Sequence, residues 1–427
     1  MAGVTLRRTG TSVLAFALVM LALAAACSRA PGTRAPGTPD QPGLPLSGDG
    51  PRPGPLRTAW QVHTPYAAQG AALDLVGGRV LVTATLPDGV VARDPRTGRV
   101  RWRHREPGMD LTTYGVTGGT VVVRSQSRTA DAKPGPENPS PWAVRLVGLD
   151  ALDGRQLWRR DELAVQAVYP FRALAGGGTI ATWQRDGRRC DLAGADARTG
   201  RPRWAAKVQV GGDCLPGWTT DHDTDGSLFL ARDQAGGLHA IDPATGRTLW
   251  SRRLSRTPAE QPEVTVRQGV VLVVKRFEAS WVELIDTSGR KLFEIRGGDP
   301  CRWTCGLAVL GDRAVVSHLD AAGRPCVTVA DRHGGAPAMV SAPGAYPTLV
   351  PASGGVYGLR LWPTPGLDVI DPAAQRVRSG PAPPGVRLQG ANWQEDGVTW
   401  LAVGGGRVFV ADAGVDGRTA ITSAAGG

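Results

Sequence analysis

The residues best suited to metal chemistry form one aspartate-rich stretch, 221–226, with the sequence Asp-His-Asp-Thr-Asp-Gly. Carboxylates at the first, third and fifth places, followed by glycine at the sixth, have the spacing of a calcium-binding loop. The closing glutamate of such a loop is missing, because Arg232 stands in its place. We therefore expect either a calcium site at Asp221, Asp223 and Asp225 or an acidic hairpin that ends in Asp-Gly.

A second group of residues, aspartate, glycine and tryptophan, recurs at fixed offsets. In the clearest copy Asp242 ends an apolar run, Gly246 can adopt a positive φ, and Trp250 follows at the start of the next run. A tryptophan kept in register should fill the wedge between neighbouring repeats and donate its indole N–H to a backbone carbonyl near the next turn. The tryptophans at this offset are Trp102, Trp158, Trp204 and Trp250.

The spacing of the aspartates indicates the fold that must position these residues. Weaker copies of the motif begin at Asp286, Asp331, Asp371 and Asp412, with Phe293, Met339, Val377 and Ile421 at or near the tryptophan offset. Self-similarity at about 40–50 residues with several short strands per repeat is typical of a β-propeller. The sequence predicts an all-β fold of eight four-stranded antiparallel blades, or seven if Asp412 only completes the first.

The repeat Ala-x-Asp-x-x-Thr-Gly-x-x-x-Trp resembles the tryptophan-docking repeat of pyrroloquinoline-quinone-type β-propellers, and it is similar to that of the propeller lipoproteins of outer-membrane assembly. The pattern is complete at 92–102 and 240–250. The resemblance implies one of two functions. The first is a non-catalytic binding or scaffold module, and the second is a quinone-dependent dehydrogenase of alcohols or sugars.

The dehydrogenases of this group hold the quinone over a tryptophan, use an aspartate as base and bind calcium through Glu and Asn or Asp. Tryptophans outside the repeat register stand at 218, 281, 303, 393 and 400, and Asn392 precedes one of them. The chain lacks the adjacent Cys-Cys pair of the alcohol-oxidising members. We therefore expect a non-enzyme without a bound quinone.

The N-terminus is predicted to be an export signal and a membrane anchor. Arg7 and Arg8 precede an apolar run of 13–26, too short to span a bilayer. Small residues before Cys27 resemble a bacterial lipobox, which predicts a signal peptide of 1–26 and lipidation of Cys27. The alternative is an ordinary signal peptide cut after Ala26. The Pro- and Gly-rich stretch 27–55 is predicted to be a disordered tether.

The folded part is predicted to run from 56 to 427. Trp60 stands in a strand pattern that lacks the first part of its repeat, so we expect the N-terminal strand to complete the last blade beside the strand that ends at Asp412. Joining the two termini in one blade closes the ring without an exposed strand edge.

Export permits disulfides among the remaining cysteines, which are Cys190, Cys214, Cys301, Cys305 and Cys326. Strand positions predict a pair between Cys190 and Cys214, and a pair between Cys326 and either Cys301 or Cys305, with one thiol left over. The Cys301-x-x-x-Cys305 spacing lacks the second ligand pair of a zinc site.

The formal net charge is +11, and arginine supplies most of the positive charge. The arginines are scattered at predicted turns without a basic run or interleaved aromatics, which excludes a specific nucleic-acid site. We expect a monomer on the outer face of the cytoplasmic membrane, held there only by its lipid anchor. Its partner should be a protein or an envelope polymer.

Overall fold

The computed structural model describes residues 48–51, 55–64, 73–85, 89–109, 111–128, 142–164, 174–186, 189–210, 227–232, 236–254, 262–275, 280–297, 300–301, 305–360, 364–384, 386, 400–413 and 419–426. Every regular element in this part of the chain is a β-strand. The predicted signal peptide, Cys27 and most of the predicted tether lie outside the described residues.

The strands form eight antiparallel sheets, which we call blades one to eight in chain order. The first strand of the chain, β1 (Leu56–Thr64), belongs to blade eight. Blade one contains β2 (Leu73–Val76), β3 (Val80–Thr85), β4 (Gly89–Arg93) and β5 (Val100–His104), and blade two contains β6 (Leu111–Thr117), β7 (Thr120–Arg128), β8 (Trp142–Asp150) and β9 (Gln156–Ala164). Blade three contains β10 (Leu174–Gly176), β11 (Thr179–Asp186), β12 (Arg189–Asp196) and β13 (Pro202–Val210), and blade four contains β14 (Phe229–Arg232), β15 (Gly237–Ile241) and β16 (Thr248–Arg253).

Blades five to seven each contain four strands, and three further strands join β1 in blade eight. Blade five contains β17 (Glu263–Arg267), β18 (Val270–Lys275), β19 (Trp281–Ile285) and β20 (Lys291–Arg296), and blade six contains β21 (Leu307–Leu310), β22 (Arg313–Leu319), β23 (Pro325–Asp331) and β24 (Ala338–Ser341). Blade seven contains β25 (Leu349–Ala352), β26 (Gly355–Arg360), β27 (Gly366–Asp371) and β28 (Arg376–Arg378), and the strands that join β1 in blade eight are β29 (Trp400–Gly404), β30 (Arg407–Ala413) and β31 (Thr419–Gly426). The predicted eight-bladed propeller is confirmed. Blade four has three strands among the described residues.

The core of the propeller is divided among the wedges between blades. Strand β18 reads Val-Val-Leu-Val-Val-Lys, and its first five side chains are all buried because neighbouring blades cover both faces of the sheet. Val80 and Val82 of blade one pack with Tyr114 and Val121 of blade two in one such wedge. A continuous apolar strand of this kind is what a sheet buried on both faces requires.

The two termini close the ring inside blade eight, as predicted. Strand β1 pairs with β31 along its length, and Trp60 stands opposite Ser423. The prediction was wrong about Asp412, because this residue lies in the second strand of the blade, β30, and not at a turn between the third and fourth strands. The third and fourth strands of this blade are β31 and β1, so no anchor aspartate joins them among the described residues. Ile421 is a buried residue of the third strand opposite Val62.

Antiparallel pairing puts the turns between strands one and two, and between strands three and four, at the same end of each blade. We call this end the turn face; in blade one it carries 77–79 and 94–99. The opposite end, where each blade continues into the next, is the link face.

The residues Gly48–Pro51, which we call the N-terminal clasp, lie on the turn face between blades seven and eight. Ser353 donates its N–H to the carbonyl of Gly48 at 3.1 Å, and Gly406 donates its N–H to the carbonyl of Asp49 at 2.8 Å. The hydroxyl of Tyr357 donates to the carbonyl of Pro51 at 3.0 Å. The structure thus differs from the predicted tether at its C-terminal end, because backbone hydrogen bonds hold this segment on the propeller.

Candidate functional site: the docking turns and their surface

The anchor aspartates build the turns between the third and fourth strands. Asp196 Oδ1 accepts the N–H groups of Arg198 at 3.0 Å and Thr199 at 2.7 Å, together with the Thr199 hydroxyl at 2.9 Å. Gly200, at φ +69°, donates its N–H to the Asp196 carbonyl at 2.8 Å. Burial alone would raise the pKa of Asp196, but the hydrogen bonds from Thr199 and Arg203 outweigh it and lower the pKa. The Asp, Thr and Gly of the motif are therefore used within the turn itself.

The tryptophans connect each blade to the turn of the next. In five junctions the indole N–H donates to the carbonyl of the residue after the anchor aspartate in the following blade. The pairs are Trp60 with Pro95 at 3.1 Å, Trp102 with Ala151 at 3.0 Å, Trp158 with Ala197 at 2.7 Å, Trp204 with Pro243 at 2.8 Å and Trp250 with Thr287 at 3.0 Å. One hydrogen bond thus repeats around more than half of the ring.

The glycine of each turn lies directly under the indole ring. A Cβ atom on Gly154 would lie 2.6 Å from Cγ of Trp102, and one on Gly246 would lie 2.5 Å from Cδ2 of Trp204. Both glycines also have a positive φ of about +70°, which other residues rarely adopt. The motif requires glycine there for two reasons, the backbone conformation and the contact with the indole ring.

The junction between blades five and six makes the same bond with a different side chain. Phe293 is buried at the tryptophan position but has no N–H to donate. Arg290 supplies the donor, since its Nη2 lies 2.8 Å from the carbonyl oxygen of Arg332, the residue after the anchor Asp331. This role of Arg290 was not predicted from the sequence. The signal that could have indicated it is Phe293, which stands at the tryptophan position and has no polar side-chain atom.

The weaker motif copies in blades six and seven do not keep the tryptophan register. Trp102 stands opposite Ala92, two residues before its anchor aspartate, whereas Met339 stands opposite Thr328, three before Asp331. Met339 is consequently 63% exposed. Between blades seven and eight the N-terminal clasp connects the two turn faces instead.

The turn face of blades one to four presents exposed arginines beside these turns. They are Arg96, Arg99, Arg155, Arg198, Arg201 and Arg247. The anchor carboxylates nearby accept hydrogen bonds from their own turns. Two of the arginines also form surface ion pairs, Arg198 with Asp150 at 3.7 Å and Arg155 with Asp153 at 3.9 Å. The arrangement can bind carboxylate or phosphate groups on a large partner.

A buried polar network occupies the link face of blade seven. The Tyr346 hydroxyl donates to Asp368 Oδ2 at 2.7 Å, Arg360 Nε donates to the same oxygen at 2.9 Å, and the Gly380 N–H donates to Oδ1 at 3.2 Å. Burial, reinforced by the hydrogen bond to Asp368, raises the pKa of the Tyr346 hydroxyl. Tyr346 and Asp368 are wholly buried, so this network fixes the link before blade seven to its sheet.

The cysteines differ from the predicted pairing. Cys301 is bonded to Cys305, and Cys326 is a free, buried thiol. A separation of 4 residues allows Cys301 and Cys305 to bond to each other. The prediction rested on strand positions and paired Cys326 with one of these two cysteines instead. The side chain of Cys190 and all of Cys214 lie outside the described residues, and so do Asp221, Asp223 and Asp225.

The tryptophans outside the register do not come together in the described part of the chain. Trp281 begins β19, opposite Lys275 and Arg296, and packs against the core of blades four and five. Trp218, Trp303, Trp393 and Asn392 lie outside the described residues, as does the side chain of Trp400. The structure therefore assigns no set of residues to a quinone or its calcium ion.

The described residues contain no group of three or more His, Cys, Asp or Glu side chains placed to hold a metal ion. None of their elements is a helix long and apolar enough to cross a membrane.

Comparison with curated proteins finds similarity over part of the chain. A curated polyvinylalcohol dehydrogenase from Sphingopyxis sp. (strain 113P3) is 27% identical over 197 residues, which are 46% of this chain and 24% of that protein. The chain thus matches only about a quarter of the relative's length.

Two solved structures are also similar to this chain. BamB from Moraxella catarrhalis has a TM-score of 0.48 and 15% identity, covering 86% of this chain and 99% of its own. A europium-containing methanol dehydrogenase has a TM-score of 0.37 and 12% identity, covering 70% of this chain and 72% of its own.

The sequence also matches a family model, described as outer membrane protein assembly factor BamB, at residues 57–213 and 188–318. Because these matches cover more than half of the 427 residues, the chain belongs to the family of the outer membrane protein assembly factor BamB, whose fold is the PQQ-like β-propeller.

Proposed function

We propose that the protein is a lipid-anchored, extracytoplasmic propeller that acts as a non-catalytic scaffold for a protein or an anionic envelope polymer. The observation that carries the proposal is the use of the repeat motif. Its aspartate, glycine and tryptophan hold one blade to the next and so make a rigid ring. Family membership supports the same reading, because the family is named for an assembly factor.

The surface proposed to meet the partner is the turn face of blades one to four. Its exposed arginines are fixed on short turns, so binding a partner there costs little ordering of the backbone. Rigid presentation of arginine favours carboxylates and phosphates, which it can contact through two N–H groups.

A charge reversal tests this surface. Arg96 lies in the turn of blade one, and Arg105 lies at the link face just after β5 of the same blade; both are exposed. We expect Arg96→Glu to lower the yield of chemical cross-links between the membrane-held protein and its neighbours, and Arg105→Glu to leave the yield unchanged. Equal loss in both variants would instead indicate a general effect of net charge, and the turn face would not be the binding surface.

The proposed anchor is tested separately with Cys27→Ser. Without the acylated cysteine the protein should leave the membrane fraction or remain unprocessed, because a stable anchor needs acyl chains. Wild-type protein that is wholly soluble and begins at Cys27 with a free amine would contradict the anchor.

The second candidate function is a quinone-dependent dehydrogenase, and the similarity to polyvinylalcohol dehydrogenase favours it. A quinone site of that kind would need a tryptophan under the cofactor together with an acidic and amide ligand set for calcium. The described residues around Trp281 do not fit this requirement, since its cross-strand neighbours are Lys275 and Arg296. We therefore derive no reaction through the quinone.

A further inference from the structure

Three cysteines lie at the link-face end of blade six. Cys301 and Cys305 are joined in the link from β20 to β21. Cys326 is the second residue of β23, is 5% exposed and carries a free thiol. A free thiol and a disulfide at the same end of one blade are the two components of thiol–disulfide exchange.

Backbone contacts bring the link and the strand together. The Leu319 N–H donates to the Pro300 carbonyl at 2.7 Å, and Cys305 Sγ lies 3.6 Å from the same carbonyl oxygen. In the next strand, Pro325 and Cys326 pair with Leu319 and with His318, the residue before it. The disulfide and Cys326 are therefore held at the same end of blade six.

The side chains also face the same side of the sheet. Cys301 packs in one core cluster with Val316 of β22 and Ala330 of β23. Alternate residues of a strand point to the same face, so Cys326 shares its face with Ala330. Valines 327 and 329 belong to the cluster on the opposite face. Cys326 thus points to the side of blade six where the disulfide lies.

We propose that these cysteines form a disulfide-exchange site, in which Cys326 attacks the Cys301–Cys305 bond. The Cys326 thiolate forms a new S–S bond with one of the two sulfurs. The old bond breaks, and the sulfur that leaves takes up the proton that Cys326 gave. Atoms and electrons balance without an external oxidant, because one thiol and one disulfide are present before and after the step.

Exchange changes which segments of the chain the disulfide joins. The Cys301–Cys305 bond lies within the link, whereas a bond to Cys326 joins the link to β23. Such a bond closes a longer loop and constrains the unfolded chain more strongly. It would fasten the link at the junction where Arg290 and Phe293 replace the docking tryptophan on the turn face.

Peptide mapping tests the proposal directly. Cleavage by trypsin after Arg302 and Arg313 separates the three cysteines onto different peptides. The purified full chain is incubated with and without a glutathione redox buffer, quenched in acid, alkylated and mapped without reduction. We expect a peptide that links Cys326 to Cys301 or Cys305, and we expect the buffer to increase it severalfold. Cys326 that is alkylated or bonded only to glutathione in every sample, beside an intact Cys301–Cys305 pair, would overturn the proposal.

Two serine variants provide a second, independent test. In folded Cys305→Ser protein, oxidation should join Cys301 to Cys326, whereas Cys326→Ser should keep the Cys301–Cys305 bond. A Cys305→Ser protein with a wild-type circular dichroism spectrum in which Cys301 and Cys326 are both free after oxidation would contradict the proposal. If that variant does not fold, the wild-type map decides the question alone.

Discussion

Arg290 of blade five donates a hydrogen bond from Nη2 to the carbonyl oxygen of Arg332 in blade six, at 2.8 Å. This carbonyl occupies the position at which an indole N–H binds in five other junctions. The residue at the tryptophan position, Phe293, keeps the apolar contact but lacks the donor. The junction therefore separates two tasks that a tryptophan performs together, filling the wedge and satisfying one carbonyl.

Replacing a docking tryptophan should lower the free energy of unfolding through two separate losses, that of the apolar contact and that of the hydrogen bond. Trp102 is 8% exposed, and its N–H bonds the carbonyl of Ala151. We expect Trp102→Ala to cost about 3–5 kcal/mol, the usual range for removing a large aromatic from a packed core. Trp102→Phe should cost about 1–3 kcal/mol, because the carbonyl loses its donor. Denaturant unfolding gives both values, and a Trp102→Phe variant as stable as the wild type would show that the hydrogen bond contributes nothing.

The Arg290 junction can be tested by rescue. Arg290→Ala should cost about 1 kcal/mol, since the hydrogen bonds it loses, to the Arg332 carbonyl and to the Asp286 carboxylate, are charged but half-exposed. Arg247→Ala is the matched control, because Arg247 follows the turn glycine of blade four while Trp250 makes the docking bond there. Adding Phe293→Trp to Arg290→Ala should restore stability by supplying an indole N–H. A double variant no more stable than Arg290→Ala would contradict the shared role of the two donors.

The N-terminal clasp offers a matched pair of glycines. A Cβ atom on Gly50 would lie 2.1 Å from the Tyr357 hydroxyl oxygen, whereas one on Gly48 would meet nothing within 4 Å. Gly50→Ala should therefore displace the clasp and expose the amides of Ser353 and Gly406, which donate to it. Hydrogen exchange at those two amides should accelerate in Gly50→Ala and stay slow in Gly48→Ala. Slow exchange in both variants would mean that the clasp does not hold these turns.

Acid should weaken the turns. Burial by itself would raise the pKa values of Asp94, Asp196 and Asp286, but hydrogen bonds from their turns and from arginines hold them below the ordinary value. Their contribution to stability is complete above the unfolded pKa of about 3.9 and is lost as the pH falls through the lower, folded pKa.

The denaturation midpoint should therefore fall as the pH drops below about 4. Asp196→Asn should show a smaller fall, because the amide does not titrate. A midpoint that is constant down to about pH 2 in the wild type would contradict this account.

The fold could be predicted because each turn is built by residues that lie close together in the sequence and recur at fixed offsets. Asp242, Gly246 and Trp250 are fixed by hydrogen bonds and contacts within a few residues or in the next turn, so their pattern is visible in the sequence. The role of Asp412 could not be read in this way. The third and fourth strands of its blade are β31 and β1, and only strand pairing shows that it belongs to the second strand.

The docking bond of Arg290 and the clasp were hidden for a related reason. Arg290 reaches the carbonyl of Arg332 across 42 residues of sequence, and Tyr357 reaches that of Pro51 across 306. Neither hydrogen bond depends on a spacing that repeats along the chain, so no sequence pattern predicts it. The same applies to the network of Tyr346 and Asp368, whose members stand on different elements.

The central claim, that the propeller is a non-catalytic scaffold, is tested most directly by titrating the purified full chain with pyrroloquinoline quinone in the presence of calcium. Dye reduction is followed in the same samples with small alcohols, sugars and polyvinyl alcohol as substrates. We predict no stoichiometric bound chromophore and no dye reduction above that of the free quinone. One equivalent of bound quinone together with substrate-dependent dye reduction would contradict the claim and establish the protein as a dehydrogenase.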